Sequence, residues 1–92
     1  MITKEILSEA IRLSGTDRQK DYGDKTKNHD NIARLWSAYL DVKVEAHDVA
    51  IMMALLKMAR TKLGAVSKDT YIDMSAYSSI AGEIKFGGEK NE

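Results

Sequence analysis

A chain of 92 residues carrying fourteen basic against fourteen acidic side chains and no cysteine reads as one domain with neither a disulfide framework nor a thiolate zinc site. Its neutral balance excludes non-specific binding of nucleic acid as a main activity, because phosphate-backbone affinity rests on an excess of Lys and Arg. With 43% hydrophobic and 30% charged residues the composition is that of a folded globular protein. A domain this small leaves about a third of its potentially buried surface wet, so self-association would stabilise it.

In chain order, Ile2, Ile6, Leu7, Ala10, Ile11 and Leu13 recur at helical spacing, with Thr3 placed to cap the start and Gly15 just past the end. The start MITKEIL lacks the basic-then-apolar run of a secretion signal, which points to the cytoplasm. From Gly15 to Asn28 the chain is polar and charged except for Tyr22, a long loop in which Tyr22-Gly23 offers an anchor and a hinge. Asn28 or Asp30 is placed to cap a second helix carrying Ile32, Ala33, Leu35, Trp36, Tyr39 and Leu40, ending before Asp41.

The stretch from Ala46 to Leu63 is the hub of the chain. Val49 to Leu56 is apolar without a break, which predicts a central helix buried on nearly every face. Lys57 interrupts it, so no segment reaches the roughly 18 to 20 apolar residues that cross a bilayer. Glu45 and Asp48 stand in a capping frame behind Val44, which gives Asp48 a structural duty beside any role as a ligand. Gly64 suits the end of this helix. Asp69 is placed to cap a fourth, running through Ile84 with Tyr71, Ile72, Met74, Ala76, Tyr77, Ile80 and Ala81 on its buried side. The expected architecture is all-α: a four-helix domain over 1–86, a long polar loop between the first two helices, a flexible tail over 87–92, and assembly as a homo-oligomer.

A short link makes helices three and four antiparallel. Counting outward from it predicts that Arg60 faces Asp73 and that Lys57 lies level with Tyr77, while Asp69, Asp73 and Tyr77 form one row at four-residue spacing. Two chemistries fit this constellation. One is an interhelical ladder of ion pairs. The other is a pocket in which Lys57 and Arg60 hold phosphate while Asp48, Asp69 and Asp73 position Mg²⁺ or water. The dipeptides His29-Asp30 and His47-Asp48, with Asp73, nominally match a His-Asp phosphohydrolase, but histidines at helix starts more often face solvent. No Gly-rich phosphate loop or Gly-x-Ser-x-Gly elbow is present.

The series DRQKDYGD (17–24), IARLWSAYL (32–40), DVAIMMALLKMAR (48–60) and DTYIDMSAY (69–77) resembles a family of small tailed-phage and prophage proteins known as a domain of unknown function. It is similar, more distantly, to the phage nucleotide-modification-associated domain, which also joins a Tyr-Gly loop, a Lys-x-x-Arg helix and an acidic helix ending in tyrosine. The family pattern has threonine, proline and glutamate where Glu45, Ala46 and His47 stand, and an aromatic near His29, which weakens the His-Asp reading. The resemblance implies nucleotide handling in the bacterial host cytoplasm, with Asp21, Tyr22, Gly23, Lys57, Arg60, Asp73 and Tyr77 as ligand-binding residues. An analogy to all-α nucleotide pyrophosphohydrolases implies magnesium on Asp48, Asp69 and Asp73, although their Glu-Glu-x-x-Glu run is missing. The expected partner is a nucleotide or nucleotide-derived phosphoryl compound, sequestered or hydrolysed. A structural or protein-binding accessory role is the alternative.

Overall fold

In a computed structural model of the chain, residues 1–15, 24–62, 64 and 67–87 are described. They form four helices: α1 (Ile2–Ser14), α2 (Lys25–Leu40), α3 (Ala46–Thr61) and α4 (Lys68–Phe86), with no strand among them. The all-α, four-helix expectation holds. The expected loop falls largely on residues 16–23 and the tail on 88–92, both outside the described residues.

Side chains of the N-cap residues satisfy free N–H groups at the starts of α2 and α3 but not at those of α1 and α4, and three of the starts differ from the sequence expectation. Met1 precedes α1, so Thr3 lies inside the first turn. Asp24, rather than Asn28 or Asp30, caps α2, its Oδ1 accepting from the N–H of Thr26 at 2.8 Å and of Lys27 at 3.2 Å. Lys25 to Asn28 are therefore helical. Ser67, not Asp69, stands before α4, which runs two residues past Ile84 to Phe86. The expected capping box at α3 is present: Asp48 Oδ2 accepts from the Glu45 N–H at 3.0 Å while the Glu45 side chain accepts from the Asp48 N–H.

Helix α4 is the element that α1 and α3 share. Ala10 of α1 clusters with Ile72 and Ala76, and Ala50 of α3 clusters with Ile80 and Ala81. Lys68 Nζ lies 3.1 Å from Glu5 Oε2, so the N-terminal ends of α1 and α4 adjoin and the two helices run parallel. Helix α3 runs antiparallel to α4, with Lys57 opposite Asp73 at one end and Ala50 opposite Ile80 and Ala81 at the other. Helix α2 packs on α3 across the link 41–45, where the Ser37 hydroxyl donates to the Val44 carbonyl at 3.1 Å and accepts from its N–H at 2.8 Å. Lys25 Nζ donates to the Ser14 carbonyl at 2.9 Å, satisfying an end of α1 that has no intrahelical donor.

The hub helix is not buried all round. Ala46, Val49 and Ala50 are buried, whereas Ile51, Met52, Leu55, Leu56 and Met58 are exposed. The physical reason is that four helices of this length place α4 and α2 on one side of α3 and nothing from the described chain on the other. Tyr39 and Tyr71, expected at the core, are likewise exposed.

Candidate functional site

The polar row lies on the α3–α4 seam, at the end nearest the link. Lys57 Nζ is 3.3 Å from Asp73 Oδ2, with side chains 19% and 33% exposed. Arg60 was expected opposite Asp73, and the structure corrects this by about one helical turn. Counting outward from a link centred near Leu63 to Asp69 put Arg60 in register, but α3 ends at Thr61 and α4 begins at Lys68, which moves the centre toward Gly64. Gly64, at φ +93°, sits in that turn in the left-handed region a glycine tolerates.

Arg60 is exposed one turn closer to the link, level with the first turn of α4, where Asp69 is exposed and Thr70 buried. The Ser67 side chain makes no capping hydrogen bond to α4, and its hydroxyl lies instead 3.5 Å from that of Thr70. The region therefore joins a cation bound to its carboxylate, a second cation in solvent, and a helix start whose N-cap residue makes no side-chain cap. Tyr77 sits one turn beyond Asp73 and packs half-buried on the Ala50, Ile80 and Ala81 cluster, level with the middle of α3 rather than with Lys57. Asp21, Tyr22 and Gly23 lie outside the described residues.

The expected metal ligands are dispersed. Asp48 is held in the capping box at the far end of α3, Asp73 pairs with Lys57, and Asp69 is exposed. Among the described residues no three His, Asp or Glu side chains gather where they could hold a metal ion. The His-Asp reading fails for the same reason. His29, expected to face solvent at a helix start, is buried in the first turns of α2 with its Nδ1 2.7 Å from the Lys25 carbonyl. His47 Nδ1 is buried and 3.4 Å from Asp48 Oδ1 without a hydrogen bond among the described residues.

A groove of about 490 Å³ that no sequence motif marks lies between α2 and the link, with Asp30, Arg34, Ser37, Lys43 and Glu45 in its lining. Its only sequence signal is Ser37, whose role in tying the link follows from the two bonds to Val44 and from no motif.

Residues 5–85 match the family described as "Domain of unknown function (DUF6378)". The chain is 41% identical over 76 residues to the Gene 55 protein of Mycobacterium phage L5, covering 82% of this chain and 49% of that protein. It is 37% identical over 83 residues to the Gene 55 protein of Mycobacterium phage D29, covering 90% of this chain and 55% of that protein. The chain thus spans about half the length of these relatives. No solved structure matches it.

Proposed function

The chain belongs to the DUF6378 family, whose members include mycobacteriophage proteins, and on that premise we propose that it binds a nucleotide or nucleotide-derived phosphoryl ligand at the link end of the α3–α4 seam. The observation that supports this reading is the placing of two cations of unequal engagement on one helix. Lys57 is neutralised by Asp73, while Arg60 is exposed beside the start of α4, where the Ser67 side chain makes no cap. A phosphoryl group there would accept from the Arg60 fork, with the start of α4 favouring its negative charge, and would compete with Asp73 for Lys57. Tyr22, which lies outside the described residues, would stack on or bond to the ligand. The protein acts, on this reading, as a homo-oligomer in the host cytoplasm, and sequestration needs no metal.

Thermal melting against a panel of nucleotides and cyclic dinucleotides, with and without magnesium, tests the proposal, since a ligand of the native state raises the melting temperature. The expected result is a rise with at least one phosphorylated compound, reduced in Arg60→Ala without a change in the unliganded melt. No rise with any compound overturns it. Recovery of intact ligand marks sequestration, and turnover abolished by Asp73→Asn marks an enzyme. The accessory-factor reading has its own support in the exposed apolar side chains of α3, which suit a protein contact.

A further inference from the structure

Helix α3 has two apolar faces. Ala46, Val49, Ala50, Met53 and Lys57 advance along the side that meets the rest of the fold. About half a turn away, Ile51, Leu55 and Met58 form a stripe at i, i+4 and i+7, flanked by Met52 and Leu56, and these five residues are 39–53% exposed. The described chain covers none of them fully.

We propose that this face is the interface of a homodimer in which two copies of α3 cross antiparallel about a twofold axis at Leu55. The charge pattern selects a second copy as the occupant. Asp48 lies seven residues before Leu55 and Lys62 seven after it, and both fall on the same arc as the Ile51–Leu55–Met58 stripe. No charge interrupts the stripe between Asp48 and Lys62. In an antiparallel pair each Asp48 stands level with the partner copy's Lys62, so the surface is complementary to itself, as a twofold contact requires. A parallel pair would set Asp48 against Asp48 and Lys62 against Lys62, which like-charge repulsion disfavours. The capping box uses only Oδ2 of Asp48, whose side chain is 44% exposed, so the carboxylate can serve the start of α3 and a partner together.

Interdigitation fits as well. Alternating steps of three and four bring Met58 opposite Met52 and Ile51 opposite Ala59, the spacing of shallow helix crossings near 20°. Roughly half of five large apolar residues from each copy, with their polar rim, comes to on the order of 1,000 Å² in total, the size of a small specific interface. The inference gives a surface to the self-association in the functional proposal and does not depend on the ligand.

Size-exclusion chromatography with light scattering, on the full chain across a dilution series, is the test. The wild type is expected to elute as a dimer, and Leu55→Asp as a monomer with unchanged helical circular dichroism, because Leu55 is 53% exposed in the protomer. Lys62→Asp is expected to weaken dimerisation by about tenfold by setting one carboxylate against Asp48 of the partner copy at each of the two symmetric contacts, and adding Asp48→Asn, which keeps an acceptor for the Glu45 N–H, to recover part of the loss. A monomeric wild type overturns this inference and the proposed self-association alike. A wild-type dimer that Leu55→Asp leaves intact overturns this face alone, and neither result bears on nucleotide binding.

Discussion

The ion pair of Lys57 with Asp73 fixes the register of α3 against α4. Lys57 lies four positions before the end of α3 and Asp73 five after the start of α4, and Nζ and Oδ2 meet at 3.3 Å. With one side chain about one-fifth and the other one-third exposed, solvent screens the pair and can hydrate whichever group is left behind. Lys57→Ala is therefore expected to cost about 1 kcal/mol in urea unfolding, and a double-mutant cycle with Asp73→Asn to give a coupling of about 0.5–1 kcal/mol. A loss of several kcal/mol would show instead that the pair is sealed from water.

Helix number, type and approximate extent were legible because apolar periodicity and caps act locally. The Glu45/Asp48 box and the stop at Asp41, which adopts φ 57°, were placed correctly from neighbouring residues alone. What sequence could not give was which of several good caps would be used. Asp24, Asn28 and Asp30 all have the chemistry, and the first wins because Lys25 to Lys27 extend the helix. The row at the site was legible as a set of residues but not as a pairing. A shift of the link's centre by between one and two residues exchanges Arg60 for Lys57 opposite Asp73, and such a shift lies within the uncertainty of any helix end. The exposed face of α3 was illegible in principle, since an unbroken apolar run looks the same whether its second face meets the core or another chain.

Acid should expose a separate surface pair on α1. Arg12 Nε donates to Glu9 Oε1 at 2.9 Å, Arg12 Nη2 donates to the same oxygen, and this bonding holds the Glu9 carboxyl below the ordinary glutamate range. A carboxylate whose pKa is lowered by folding contributes stability that is fully present above its unfolded pKa and is lost as pH falls through the folded value. The wild type should therefore melt slightly above Glu9→Gln at neutral pH, by a margin that holds down to the ordinary glutamate range and closes below it. Melting curves of both proteins from pH 7 to pH 3 check this, and a margin that widens in acid would contradict the assigned sign.

Small residues set the distance between α3 and α4. Ala50 is fully buried, Ala81 is 2% exposed, and Ile80 fills the space beside them. Two alanines facing across a seam let the helix axes approach toward the lower end of the usual 8–10 Å, so there is no void for a larger side chain to enter. Ala50→Leu must push the helices apart or force strained rotamers, at a cost of about 1–3 kcal/mol. The same substitution at exposed Ala38 of α2 meets no packed neighbour and should change stability by less than about 0.5 kcal/mol. Urea midpoints for the two variants, with helical content measured in parallel, distinguish overpacking from a simple gain in apolar surface. Equal midpoints would mean that the seam around Ala50 is looser than its burial indicates, and that α3 is held by its ends rather than its middle.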